Sequence, residues 1–139
     1  MGKIRVMGIS VLAVVLAACG SSGSSSAHSD NGVAYSAQSV ADFAVTVATP
    51  GVVVLDVRTP AEFEASHIAG AVNVDVQSAD FESRIDALDK SGTYAVYCHS
   101  GRRSAIAVEQ MAAAGFAHLS ELDGGIQAWM AAGQKVVTS

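Results

Sequence analysis

The stretch from Thr93 to Gly115 constrains this chain most. Thr93-Tyr94-Ala95-Val96-Tyr97 is short, apolar, β-branched and aromatic, the composition of a buried strand. Ala105 to Ala114 is alanine-rich, carries Ile106, Val108 and Met111, and is followed by Gly115, which predicts a helix with a glycine stop. Between them, Cys98-His99-Ser100-Gly101-Arg102-Arg103 must turn the strand directly into the helix. Gly101 permits dihedrals that a Cβ forbids. Such a turn aims several backbone N–H groups inward, and the helix start adds partial positive charge. The turn is thus built to hold an anion, and Cys98 is the side chain at its mouth that can become one. A free thiol is only about 3% ionised at neutral pH. The cup and the two arginines are expected to favour the thiolate and so make Cys98 a nucleophile.

The remaining pattern alternates strand and helix. Val33 to Tyr35 reads as a first strand, with Ser36 capping a helix that presents Val40, Phe43, Ala44 and Val47. Pro50 and Gly51 end it. Val52 to Val57 is a continuous apolar run, as expected of a parallel strand covered on both faces. Pro60 opens a short helix to about Ser66, and Ala71 to Val74 is a further strand. Ser78 or Asp80 opens a helix presenting Phe81, Ile85 and Leu88. After the Cys98 unit come a strand at Ala117 to Leu122 and a helix at Gly125 to Ala132 with Ile126, Trp129 and Met130. The expected fold is α/β: three layers, with a central, mostly parallel five-stranded sheet flanked by helices. Ligands in such sheets bind beyond the carboxyl ends of the strands, where Cys98 lies.

Asp56, Arg58 and Glu62 stand where a strand gives way to a helix, and are expected to form an ion-pair network holding that corner. His67 is expected to be structural rather than a general base. Tyr97 should face the core on the side of the strand opposite Cys98. Trp129 and Gly124-Gly125 should pack the last helix beneath the active loop.

Cys98-His99-Ser100-Gly101-Arg102-Arg103-Ser104 resembles the active-site loop of the rhodanese family, Cys-x-x-Gly-x-Arg-Ser/Thr. Leu55-Asp56-Val57-Arg58-Thr59-Pro60-Ala61-Glu62-Phe63 and His67-Ile68-Ala69-Gly70-Ala71-Val72-Asn73 resemble the family's upstream signature. Asp123-Gly124-Gly125-Ile126-Gln127-Ala128-Trp129 resembles its carboxyl-terminal one. The resemblance covers roughly Val33 to Gly133. It implies a sulfurtransferase in which Cys98 takes a sulfane sulfur from a small anionic donor such as thiosulfate, becomes a persulfide, and passes the sulfur to cyanide or a thiol. His99, Ser100, Gly101, Arg102 and Arg103 would then line the substrate site. Arg102 would attract the donor, and Arg103 would chiefly shape the loop. No metal or organic cofactor is implied.

Two rivals belong to other classes. A sulfur carrier or partner-binding module would use the same domain without turnover. A phosphatase of the related dual-specificity type needs Cys, five residues, then Arg. Here four residues separate Cys98 from Arg103, and the next position is Ser104, so the cup is a better size for sulfur than for phosphate.

The amino terminus reads as a targeting segment. Lys3 and Arg5 precede an apolar run from Val6 to Ala18, too short to span a bilayer comfortably. Leu16-Ala17-Ala18-Cys19 resembles a bacterial lipobox. The expected organisation is a signal peptide over 1–18, a lipid-anchored Cys19 with a Gly/Ser-rich tether over 19–32, and the catalytic domain over 33–139. Localisation would be extracytoplasmic, on a bacterial membrane, at the periplasm or cell surface. Cys19 and Cys98 would not form a disulfide. The chain carries a formal charge of −5 and no basic stripe, which argues against a nucleic-acid partner.

Overall fold

The structure is a computed structural model that describes residues 27–28 and 35–139. The segments expected to form a signal peptide, the lipid-bearing Cys19 and most of the tether therefore lie outside the described residues. In chain order the elements are β1 (Ala27–His28), β2 (Tyr35–Gln38), α1 (Val40–Ala48), β3 (Val52–Asp56), α2 (Pro60–Ala65), β4 (Val72–Asn73), α3 (Phe81–Asp86), β5 (Thr93–Tyr97), α4 (Arg102–Ala113), β6 (His118–Leu122) and α5 (Gly125–Ala131). The sheet order is β1-β2-β6-β5-β3-β4. The five strands β2, β6, β5, β3 and β4 pair in parallel, and β1 adds an antiparallel edge against β2.

Strand alternation divides the core into two layers. From β5, Tyr94, Val96 and the following Cys98 join Leu55, Phe81, Ile85, Ala107, Val108 and Met111 on the face covered by α3 and α4. Ala95 and Tyr97 face the other way, onto Phe43, Leu122, Ile126 and Trp129 from α1, β6 and α5. The apolar run of β3 is explained by the same geometry: Leu55 packs on the first face and Val54 on the second. The Tyr97 side chain is fully buried, and its hydroxyl oxygen accepts the Ile68 N–H at 3.0 Å. Burial first, then the charge of Asp56, raises the Tyr97 ionisation well above that of a free phenol, so the hydroxyl stays neutral.

Local details correct the sequence-based expectations at the amino end. Among the described residues the first parallel strand is Tyr35–Gln38, so it runs on past Tyr35 and Ser36 is not a helix cap; Val33 and Ala34 lie outside the described residues. Ser36 and Ala37 are extended because they pair with Ser120 and Glu121. Ser39 caps α1 instead, its hydroxyl accepting the Asp42 N–H. Ala27 and His28, read as tether, pair with Ser36 and Tyr35. Helix α4 begins at Arg102, earlier than Ala105, because Gly101 already occupies its cap with φ of +98°.

Candidate active site

Cys98 follows the carboxyl end of β5 and is a free thiol, 1% exposed. Gly101, at φ +98°, folds the loop back so that its N–H points at the Cys98 Sγ, 3.1 Å away. The next three residues, Arg102, Arg103 and Ser104, form the first turn of α4, whose N–H groups have no partner within the helix. Of the expected amide cup, the Gly101 N–H is the backbone donor that meets the sulfur among the described residues, at the amino end of α4.

The loop is held from below by α5. The Ile126 N–H donates to the Cys98 carbonyl at 2.9 Å, and the Gln127 N–H to the His99 carbonyl at 3.1 Å. Both peptides are trans, so turning their carbonyls toward α5 turns the N–H groups of His99 and Ser100 away from it. The free amino end of one helix thus sets the orientation of the loop that leads into another. This requires close approach. A Cβ on Gly125 would lie 2.5 Å from the His99 carbonyl carbon and oxygen and 2.6 Å from the Cys98 oxygen. The Gly124-Gly125 pair lies beneath the loop, as expected. Trp129 acts further down, edge-on to Phe43 and donating to the Lys135 carbonyl at 2.9 Å.

A second brace comes from α2. Thr59 and Glu62 form a capping box, with Pro60 in the first turn. Glu62 also takes a bidentate pair of hydrogen bonds from Arg103, both at 2.8 Å. These bonds, opposed by partial burial and helped by the Thr59 donors, lower the Glu62 carboxyl to about 2. Arg103 is raised by the same hydrogen bonds against burial, and the charges of Glu62, Cys98 and Asp75 add to this. The expected corner network is therefore divided. Asp56 and Arg58 form their own buried pair, with Nη2 2.6 Å from Oδ2, while Glu62 reaches across to the active loop.

Among the loop residues, His99, Ser100 and Arg102 are exposed, Arg103 is paired, and Gly101 binds the sulfur. His67 lies in the corner after α2. Its Nδ1 donates to the Phe63 carbonyl at 2.9 Å and its ring stacks on Phe63. Its backbone pairs with Val137.

Two buried polar residues, one beside the sulfur and one bonded to the first, are not assigned by the sequence. Ser104 is fully buried, with its hydroxyl 3.4 Å from the Cys98 Sγ and 3.0 Å from Oε1 of Glu121, itself 6% exposed. Ser104 stood inside the loop motif. Glu121 had one visible signal, a carboxylate in a strand otherwise bound for the core.

The family model for the rhodanese-like domain matches residues 39–132. The chain belongs to the rhodanese-like family. Thiosulfate sulfurtransferase GlpE of Pseudomonas fluorescens is 39% identical over 80 residues, covering 57% of this chain and 71% of that protein. The putative sulfur carrier protein YrkF of Bacillus subtilis is 34% identical over 76 residues, covering 55% of this chain and 40% of that protein. A crystal structure of a rhodanese-related protein from Thermoplasma volcanium superposes with a TM-score of 0.66 at 32% identity, covering 74% of this chain and 98% of that one. The rhodanese-like domain here thus sets its loop cysteine under the Gly101 N–H in a turn braced by two other helices.

Two predictions follow from the braces. Gly125→Ala should separate α5 from the loop and lower both the melting temperature and Cys98 alkylation, the latter by at least tenfold. Alkylation kinetics alongside thermal melting checks this, and unchanged values would contradict the close packing. The Glu62 carboxyl ionises lower in the folded than in the unfolded chain. Its stabilising contribution is therefore fully present above the unfolded value near 4.5 and is lost as pH falls toward about 2. Glu62→Gln should lower stability at neutral pH and flatten its decline over that window, as read from denaturant melts at successive pH values.

Proposed function

We propose that this chain is a sulfurtransferase that moves a sulfane sulfur from a small anionic donor to a thiophilic acceptor through a Cys98 persulfide. The observation that carries the reading is the Cys98 sulfur seated under the Gly101 N–H at the amino end of α4. Cys98 thiolate attacks the outer sulfur of a donor such as thiosulfate. The donor's S–S bond breaks, its electron pair leaves with sulfite, and the outer sulfur stays on Cys98 as an anionic persulfide. Amides that favour the thiolate favour this intermediate for the same reason. Cyanide or a thiol then attacks the outer sulfur and returns the Cys98 thiolate, giving ping-pong kinetics.

The arginines divide the work. Arg103 is occupied by Glu62, so it shapes the loop. Arg102 is exposed and makes no ion pair among the described residues, which suits it to attract the donor. His99 and Ser100 form the rest of the rim. The phosphatase reading loses its main tool here, because the arginine that would bind phosphate is the one held by Glu62. A carrier reading has one specific support, the likeness to the putative sulfur carrier YrkF. Turnover separates it from the enzyme. Cys98→Ser should abolish thiosulfate-to-cyanide transfer while keeping the melting temperature. Arg102→Ala should raise KM for thiosulfate about tenfold and change kcat far less. Single-turnover sulfur loading without catalytic cycling would instead favour the carrier.

The proposal extends to location. The Lys3/Arg5 start, the apolar run and Leu16-Ala17-Ala18-Cys19 support a lipid on Cys19, anchoring the domain outside the cytoplasm of a bacterium. Cys19→Ser should move the protein from the membrane to the soluble fraction without altering sulfur transfer. Membrane retention of that variant would remove the anchor from the account.

A further inference from the structure

The buried carboxylate of Glu121 has no part in the chemistry above, yet it is one hydroxyl away from the nucleophile. Cys98 is 1% exposed, so its thiol proton leaves a nearly enclosed site. Two polar groups lie within hydrogen-bonding reach of Sγ among the described residues: the Gly101 N–H at 3.1 Å and the Ser104 hydroxyl at 3.4 Å. The amide can only donate. Ser104 Oγ is therefore the group that can receive the proton. To do so it must give up its own, and its two other neighbours are the Gly101 carbonyl and Oε1 of Glu121, each 3.0 Å away. A carboxylate can take that proton at neutral pH, and a peptide carbonyl cannot.

Resting on the sulfurtransferase reading, we propose that Cys98, Ser104 and Glu121 form a proton relay that ionises the buried thiol. The Cys98 S–H bond breaks and its proton bonds to Ser104 Oγ. The original Ser104 proton passes to Glu121 Oε1. The negative charge moves from Glu121 to Cys98, and the net charge of the trio is unchanged. The transfer reverses the hydrogen-bond chain. Ser104 now donates to the anionic sulfur, giving it a second donor beside the Gly101 N–H, and the Glu121 carboxylic acid donates to Ser104. When sulfur leaves for the acceptor, the protons can return along the same path. Glu121 is a positioning residue in this scheme, because it acts on the sulfur through Ser104.

The test is the pH dependence of Cys98 alkylation by iodoacetamide, from pH 5 to 9. This neutral probe needs no sulfur donor, so failure of the relay is distinguishable from failure of the sulfurtransferase reading. Arg102 and Arg103 stand in the first turn of α4 and His99 in the loop beside Cys98; Glu62 on α2 and Asp75 after β4 act on Arg103, and none of these groups is altered in the variants. With an internal acceptor, the wild-type rate should fall clearly less than tenfold per pH unit below neutrality, because internal transfer takes up no proton from solvent. Glu121→Gln keeps the shape and an acceptor oxygen but cannot take the proton, so its rate should fall by the full factor of about ten per unit. At pH 6 it should react at least fivefold more slowly than wild type. Ser104→Ala should give the same steep profile, the double variant no further loss, and Glu121→Asp a partial return. A Glu121→Gln profile parallel to wild type, or moved to lower pH as for a carboxylate that merely repels the thiolate, would overturn the relay. If Glu121→Gln is poorly folded by circular dichroism, the Ser104→Ala profile decides in the same way.

Discussion

The site depends on two hydrogen bonds whose donors lie outside both the cysteine loop and the helix that follows it. The first N–H groups of α5 take the carbonyls of Cys98 and His99. A helix start must place its unpaired donors somewhere, and here they fall on the peptides whose orientation decides what the sulfur meets. Because each trans peptide carries its N–H opposite its carbonyl, anchoring the carbonyls below orients the amides above. Gly125 makes the approach possible, since a side chain would overlap the loop backbone. The carboxyl-terminal signature and the cysteine loop are thus one structural unit, although they are far apart in the chain.

The second constraint is charge. Arg103 lies within electrostatic range of Cys98, yet both arms of its guanidinium are tied to Glu62. A bidentate carboxylate partner fixes the geometry of an arginine as well as its charge. This leaves one positive group held by a carboxylate and another, Arg102, exposed at the start of α4. The division suits the proposed chemistry, in which an anionic intermediate is kept in place while anionic donors enter and leave. Glu62 in turn is fixed by Thr59 as part of the α2 cap, so the corner after β3 and the loop after β5 are mechanically joined.

Much of this was legible in the residues. The strand–loop–helix around Cys98, the two-sided burial of Val52 to Val57 and the glycine pair beneath the loop each follow from local rules of spacing and size. The amino end was misread because Ser36 and Ser39 are equally good caps by composition; pairing of Ser36 with Ser120 on a distant strand decides between them. The partner of Arg103 could not be read from the chain, since Glu62 is 41 residues away and its neighbours Asp56 and Arg58 offered a closer pairing. Glu121 was missed for a similar reason. A single acidic residue in a short strand says nothing about which buried hydroxyl it will meet.

The central claim is that the amide-lined turn holds one sulfur atom on Cys98 as a covalent intermediate. The most direct measurement is mass spectrometry of the purified protein after brief exposure to thiosulfate, with digestion under non-reducing conditions. The peptide containing Cys98 should be heavier by a single sulfur atom, and should return to its original mass when cyanide is added. A Cys98 peptide that stays unmodified while sulfite is released, or sulfur that cyanide does not remove, would contradict the account.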